Sequence, residues 1–254
     1  MTSLTHKIAL VTGASSGIGR ATAVAMARAG ATVVVAARRA AENEQTLAAV
    51  EAAGGQGFAH TADVTREAAV AGLLAEVLRR YGRLDCAFNN AGTIGSFAPL
   101  TEQTEEDFHR TFDVNVKGVW LCLKHEALAM RPAGRGAIVN CASWLSRGAL
   151  VGSSVYSATK AAVEGLMRPA ALELAPYGVR VNNVAPGGIA TEMTREALGS
   201  DEAVQAFGRT HPVGRLGSPE EVARLVVWLC SDEATFVTGE SILVDGGYTI
   251  PGQR

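Results

Sequence analysis

The sequence predicts an α/β fold, with one doubly wound, mostly parallel sheet of seven strands and helices on both faces. Three observations carry that expectation. Short β-rich apolar runs alternate with helical stretches from end to end of the 254 residues, the pattern of successive βαβ units. The second run, Thr32-Val33-Val34-Val35-Ala36, is continuously apolar, as a strand covered on both faces is. A glycine-rich turn separates the first run from the first helix.

The elements follow in order. Ile8-Ala9-Leu10-Val11 reads as the first strand and ends in the glycine turn. Residues 17–29 read as a helix broken by Gly30, and 41–53 as a helix closed by Gly54-Gly55. Gln56 to Thr61 is the third strand, residues 66–80 a helix, and Leu84 to Phe88 the fourth strand. A long helix over 104–130 starts near Thr104, with Glu105, Glu106 and Asp107 in its first turn, where acids suit the helix dipole. Gly136 to Cys141 is the fifth strand, 155–175 a helix, and Val179 to Val184 the sixth strand. Ser218 caps a further helix that Pro219 opens, and Ser241 to Val244 is the last strand. No repeat, low-complexity tract or linker interrupts the series, so residues 1–254 read as one domain. The long segment from Pro186 to about Gly217 reads as an irregular loop of the kind that covers a site.

Composition narrows the function. The chain is 48% hydrophobic and 19% charged, enough for a sizeable core. Net charge is −2 and no Lys/Arg block stands out, which argues against nucleic acid or an anionic membrane as partner. No apolar run has transmembrane length, and Met1 to Lys7 lacks a secretory apolar core. Cys86, Cys122, Cys141 and Cys230 are far apart with no CxxC pair. They read as buried free thiols in a reducing cytosol, which makes the expected location cytoplasmic. The five histidines show no HxxxH or HExxH spacing, so no metal site is expected.

Chemistry enters with Tyr156-Ser157-Ala158-Thr159-Lys160. A phenol and an ammonium four residues apart on a helix share one face, roughly 5–6 Å apart at Cβ. A free phenol is a poor base at neutral pH, and a fixed cation nearby favours the phenolate. Such a pair suits proton transfer at a hydroxyl or carbonyl. The competing reading is a surface helix with an accidental pair.

Thr12-Gly13-Ala14-Ser15-Ser16-Gly17-Ile18-Gly19 follows the first strand and opens the first helix. Glycines there let the backbone turn tightly beneath a pyrophosphate seated on the helix N-terminus. A structural turn would look the same, but its place between strand and helix favours the dinucleotide. The second strand ends in Ala37-Arg38-Arg39. An acid at that position would bind ribose hydroxyls, whereas arginine accommodates a 2′-phosphate. NADP(H) is therefore expected over NAD(H), against the alternative of a solvated arginine pair.

Together these motifs resemble the classical short-chain dehydrogenases/reductases, over essentially the whole chain. The matching residues are Thr12 to Gly19, Asp63, Asn89-Asn90-Ala91-Gly92, Asn115, Ser143, Tyr156 with Lys160, Pro186-Gly187 and Val244-Asp245-Gly246-Gly247. The resemblance implies a single-domain Rossmann fold and hydride transfer between a nicotinamide and a ketone or alcohol. It implies that Tyr156 is the general acid or base and that Lys160 supports it while binding the nicotinamide ribose. Ser143 would hold the substrate oxygen, and Asn115 would hold a water in a proton relay. Ser143 or Asn115 taken singly would read as a cap or a satisfied polar group. The cofactor set implied is Gly13, Ser15, Ser16, Gly17, Ile18, Gly19, Arg38, Arg39, Asp63, Val64, Asn90, Ala91, Gly92, Tyr156, Lys160, Pro186, Gly187, Ile189 and Thr191. Asp63 would accept from the adenine amine, with a helix N-terminal acid as the alternative, and Asn89 reads as structural. Ser16 stands where some NADP-using relatives carry a basic residue, which leaves Arg38, helped by Arg39, to carry the preference.

Ser143, Trp144, Leu145, Gly187, Gly188 and Met193 are the candidate substrate residues, with Gly95-Ser96-Phe97, Arg147, Phe207 and His211 nearby. Trp144 could equally be packing and Arg147 a solvent-facing cation. The implied substrate is a medium-sized ketone or secondary alcohol. Family analogy implies a homotetramer built through the helices of 104–130 and 155–175 and the C-terminal strand, with Tyr248-Thr249-Ile250-Pro251 as a further contact. A non-catalytic dinucleotide sensor on the same fold is the alternative from another class. A sensor has no need of the four residues Asn115, Ser143, Tyr156 and Lys160 together.

Overall fold

The computed structural model describes residues 2–250. Seven parallel strands form one sheet in the order β3-β2-β1-β4-β5-β6-β7. They are β1 (Ile8–Thr12), β2 (Thr32–Ala37), β3 (Gln56–Thr61), β4 (Cys86–Asn89), β5 (Gly136–Cys141), β6 (Val179–Pro186) and β7 (Ser241–Val244). The helices are α1 (Gly17–Arg28), α2 (Ala40–Ala52), α3 (Glu67–Tyr81), α4 (Glu105–Phe112), α5 (Gly118–Met130), α6 (Ser154–Leu174), α7 (Glu192–Leu198), α8 (Asp201–Arg209) and α9 (Pro219–Cys230). Strand order reverses between β1 and β4, so the two halves of the sheet part there and leave a crevice at their carboxyl ends.

Alternation along each strand sends successive side chains to opposite faces, and both faces are apolar. Leu10, Val34, Ala87, Ile138 and Val181 pack with Leu73 of α3, Leu121 of α5 and Met167 of α6. Ala9, Val33, Phe88 and Val139 pack with Met26 of α1 and with Val222 and Val226 of α9. All four cysteines are free and buried. No described helix is long and apolar enough to cross a membrane.

Three expectations need correction. The long helix of 104–130 is interrupted, because Asp113–Lys117 forms a π-helical turn between α4 and α5. Such turns are rare and often mark functional sites; this one holds Asn115. The segment from Pro186 to Gly217 is not irregular. It folds into α7 and α8, capped by the hydroxyls of Thr191 and Ser200, which accept from Thr194 N and Ala203 N. Seven- and nine-residue helices are too short to show a clear apolar period, although their caps are visible in the sequence. Finally, β4 starts at Cys86 rather than Leu84 and runs through Asn89. Asp85 instead turns its carboxylate to Ile8 N at 2.8 Å.

A polar row crosses the apolar layer. Asn89, Asn140 and Asn183 are register partners on β4, β5 and β6. Asn89 Nδ2 donates to Asn140 Oδ1 (3.0 Å) and to Glu126 Oε2 (2.9 Å), and Asn140 Nδ2 donates to Asn183 Oδ1 (3.0 Å). Glu126, on α5, is completely buried. Burial pushes its carboxyl up to about 7 from the usual 4.5, against the opposing hydrogen bond from Asn89.

The folded chain therefore keeps a proton that the unfolded chain has released. Over the window from 4.5 to about 7, stability should fall as pH rises, by roughly 2–4 kcal/mol in all. It should level off above that window. Glu126→Gln, which mimics the neutral acid, should flatten this part of the profile. Urea midpoints at several pH values would measure it, and an unchanged slope in the variant would place the proton elsewhere.

Candidate active site

A cleft of about 540 Å³ opens at the carboxyl ends of the strands, over the point where their order reverses. Its first wall is the turn from β1 to α1. Gly13 and Gly17 have φ of +61° and +52°, a region that costs other residues steric strain. A Cβ on Gly13 would lie 2.7 Å from the Ala91 backbone. Asn90 Nδ2 donates to Gly13 O at 3.0 Å, and the Asn90 and Ala91 amides reach Thr12 Oγ1 at 3.2 and 3.4 Å. The turn and the Asn90–Gly92 segment are thus fastened together. Ser16 is the N-cap of α1, yet its side chain makes no capping bond and no acid lies in the first turn. The helix N-terminus therefore presents uncapped amides and positive dipole to the cleft, which suits an anion.

The arginines stand beside it. Arg39 Nη2 donates to Ser15 Oγ (3.0 Å) and Ser16 Oγ (3.1 Å), and Arg38 also lines the cleft. Asp63 Oδ1 accepts from Thr65 N (3.0 Å) and Thr65 Oγ1 (2.9 Å). Burial raises its pKa, but these bonds and the charges of Arg38 and Arg66 outweigh that and hold the carboxyl below its usual value. Asp63 does not cap α3, whose N-cap is Arg66.

The opposite wall comes from α6 and the turn after β5. Tyr156 and Lys160 line the cleft from α6, with Lys160 Nζ 5.6 Å from the Tyr156 ring centroid. Lys160 is 5% exposed and donates to Cys141 O at 2.8 Å. Ser143 Oγ accepts from Leu145 N at 3.2 Å, capping the short turn Trp144–Ser146. Ser146 Oγ donates to Glu164 Oε1 at 2.7 Å, one turn past Lys160 on α6, so the Ser143 turn is tied to the Tyr156 helix. Asn115 is fully buried in the π turn. Its Oδ1 accepts from Thr93 N (2.8 Å), and its Nδ2 donates to Thr93 O (2.8 Å) and Thr159 Oγ1 (3.1 Å). A Cβ on Gly92 would lie 3.4 Å from Asn115 Oδ1 and 3.8 Å from Lys160 Nζ, so these three are neighbours. A phenol, an ammonium and a hydroxyl thus line one cleft together with the uncapped N-terminus of α1.

The family model described as enoyl-(acyl carrier protein) reductase matches residues 13–249. The 2,5-dichloro-2,5-cyclohexadiene-1,4-diol dehydrogenase of Sphingobium indicum is 40% identical over 251 residues, 98% of this chain and 99% of that protein. The chain belongs to the short-chain dehydrogenase/reductase family. Cyclohexanol dehydrogenase of Acinetobacter sp. is 40% identical over 244 residues, 96% of this chain and 95% of its own. A structure of 7α-hydroxysteroid dehydrogenase complexed with NADH and 7-oxo glycochenodeoxycholic acid matches with a TM-score of 0.91. It is 32% identical and covers 96% of this chain and 95% of that one. This short-chain dehydrogenase/reductase is an oxidoreductase acting on alcohols and ketones.

Most of the residues expected at the site line the cleft, but five of them do not. Gly19 is packing: a Cβ there would lie 2.2 Å from Gly13 O. Asn115 works from behind, through Thr93 and Thr159. Trp144 and Leu145 are buried beside the cleft rather than in it. Gly188 also lies one layer back, where a Cβ would meet Phe207 at 2.6 Å and Leu216 at 2.7 Å. Arg147 is turned to Glu164 (3.3 Å) and to Ser241 O (3.3 Å). Residues that sequence reasoning missed are Thr93, Ile94, Val114 and, from α7, Glu192, Thr194 and Glu196. The Thr191 cap was the available signal for the last three. No cluster of metal-binding type occurs among the described residues.

A second cleft of about 450 Å³ lies at the opposite edge of the sheet. Its cations are engaged: Arg180 donates to Ser231 O (3.1 Å) and Val237 O (3.3 Å), and Lys7 pairs with Asp232. Cations there offset the negative ends of helices, a structural task.

Gly19→Ala should force the turn away from Asn90. Overpacking of this kind costs about 1–3 kcal/mol, so the melting temperature should drop by several degrees and dinucleotide affinity by roughly tenfold or more. Thermal scans with and without NADPH would read both, and an unchanged variant would refute the contact.

Proposed function

We propose that this enzyme interconverts an uncharged ring ketone and the corresponding secondary alcohol with NADP(H), Tyr156 handling the proton. The observation that carries the reading is that Tyr156, Lys160 and Ser143 share one cleft with the uncapped N-terminus of α1 and with Arg38 and Arg39. The residues fit a dinucleotide: the α1 N-terminus and the glycine turn would receive its pyrophosphate. Asp63 and Val64 would meet the adenine, Asn90 to Gly92 would pass beneath the adenine ribose, and Pro186, Gly187, Ile189 and Thr191 would flank the nicotinamide. When bound, the nicotinamide supplies or takes up the hydride.

The rest is the work of the chain. Ser143 Oγ already accepts from Leu145 N, so its own proton can be donated to the substrate oxygen, where negative charge grows during reduction. Tyr156 gives its proton to that oxygen in reduction and takes it back in oxidation. Lys160, whose Nζ lies 5.6 Å from the Tyr156 ring centroid, would support the phenol and hold the nicotinamide ribose. Asn115 braces Thr93 against α6 and, through its backbone, would carry the water of the relay.

Cofactor choice rests on β2. Ala37 ends the strand, so no carboxylate repels a phosphate there, and Arg38 and Arg39 follow. The NADH held by the hydroxysteroid relative makes NAD(H) the competing reading. The ring substrate is supported by relatives named for cyclohexanol and a cyclohexadiene diol, and by Ile94, Val114 and Met193 in the cleft wall. Glu192 and Glu196, on the rim, disfavour anionic substrates.

Oxidation of NADPH and NADH against cyclohexanone, diketones and ketosteroids tests the reading. NADPH should be preferred and Arg38→Ala with Arg39→Ala should erase the preference; NADH favoured by the wild type would reverse the cofactor assignment. Tyr156→Phe should lower kcat by about two to four orders of magnitude while NADPH still binds. Persistent turnover in that variant would remove Tyr156 from the proton step.

We further propose that the chain forms a homotetramer through two interfaces, one of α4, α5 and α6 and one of the β7 region. These helices expose Phe108, Trp120, Leu128 and Leu172, apolar side chains that a subunit contact would cover. Light scattering during gel filtration should give four times the 26.4 kDa chain mass, and Trp120→Glu should shift it downward. A monomeric wild type would reject this assembly.

A further inference from the structure

We propose that His211 is a positioning residue: a latch that joins α8 to the backbone behind Gly187 and thereby sets the wall of the carbonyl pocket. The proposal rests on the active-site reading above, and its first test does not need turnover.

His211 lies just past α8 and is 3% exposed. Both ring nitrogens are engaged. The Gly188 backbone N–H donates to Nε2 at 3.2 Å, and Nδ1 lies 3.0 Å from Phe207 O. An amide can only donate and a carbonyl can only accept. These partners therefore fix the ring as the neutral tautomer with its proton on Nδ1.

The latch acts on the right piece of backbone. Pro186 and Gly187 line the cleft, while Gly188 sits one layer behind. Gly188 O accepts from Gly217 N at 2.9 Å, so His211 supplies the other half of that residue's pairing. There is no room for the segment to shift: a Cβ on Gly188 would meet Phe207 at 2.6 Å, Leu216 at 2.7 Å and His211 at 2.9 Å. The ring itself is held by stacking. It lies 4.5 Å from Tyr248 at 23°, and 5.0 Å from Phe207 at 77°. Tyr248 in turn meets the edge of Trp144 at 4.8 Å, and Trp144 directly follows Ser143. One chain of contacts thus runs from α8 through His211 to Gly188, next to Gly187, and through Tyr248 to Trp144, next to Ser143.

An apolar ring of the same shape would keep the stacking but strand the buried Gly188 amide, whereas Phe207 O would keep the Thr210 N–H and hydroxyl as donors. Gln could restore one donor and one acceptor. The inference therefore separates packing from positioning.

The first test is the 15N spectrum of the wild-type protein labelled at histidine. The signal that disappears in His211→Gln should be that of a neutral ring protonated at Nδ1; loss of an Nε2-protonated or doubly protonated ring instead would overturn the latch. The second is kinetic, with cyclohexanone and NADPH as probes. His211→Phe should lower kcat/KM for cyclohexanone about ten- to hundredfold, expressed mainly in KM. The NADPH dissociation constant should stay within about twofold, and His211→Gln should recover most of the loss. Unchanged cyclohexanone KM in His211→Phe, or no recovery with Gln, would reduce the residue to packing and overturn the proposal. If His211→Phe does not fold, the comparison of His211→Gln with His211→Leu decides by the same criterion. A wild type that turns over no ketone would defeat the proposed function while leaving the tautomer result to stand or fall alone.

Discussion

Parallel pairing forces every strand of this sheet to end at the same edge, and the rest of the molecule is arranged around that edge. The register makes it sharp: Thr12 of β1 lies opposite Ala36 of β2 and Asn89 of β4, and Asn140 of β5 lies opposite Asn89 and Asn183. Groups far apart in sequence therefore arrive level with one another. Strand order reverses between β1 and β4, so crossovers leave in opposite directions and nothing covers the gap. A crevice follows from topology before any side chain is chosen.

A level edge is useful only if it is rigid, and the polar row supplies the rigidity. Asn89, Asn140 and Asn183 bond strand to strand one layer beneath the cleft, with Glu126 bracing the end from α5. Apolar side chains would hold these strands together without fixing their lengthwise position. Directional bonds between register partners do both. A buried carboxyl whose charged form is disfavoured is part of that arrangement. The Asn115 clamp and the Glu164 tie repeat the logic above the sheet, joining the Thr93 segment and the Ser143 turn to α6.

Much of this was legible in the sequence. The strands were readable because two covered faces demand unbroken apolar runs, as in β2. The glycine turn was readable because Gly13 and Gly17 adopt a backbone region that penalises a Cβ. Tyr156 and Lys160 were readable because helical spacing alone puts them on one face. What was not legible depends on non-local packing. Nothing in Asp113 to Lys117 announces a π turn, whose Asn115 is held by Thr93 and Thr159 from distant parts of the chain. Trp144 and Gly188 are near the site in sequence but behind it in space, a distinction made by Tyr248 and Phe207 from much later in the chain.

The two halves of the cleft consequently answer to different constraints. On the β1–β2 side the surface depends on backbone: a turn with no room for a Cβ at Gly13 or Gly19 and a helix end left uncapped. Such a surface can change little without losing its shape, because Gly13 and Gly19 are in near contact with Ala91 and with each other. On the β5–β6 side it is built from side chains on a fixed helix and a mobile-length segment, Ile189 to Gly217, anchored at its base by the bridge between those two residues. Lengthening or reshaping α7 and α8 would leave the bridge, the sheet and α6 untouched. The cleft wall can therefore vary through residues such as Met193 and Glu196 while Tyr156 and Lys160 keep their placement on α6.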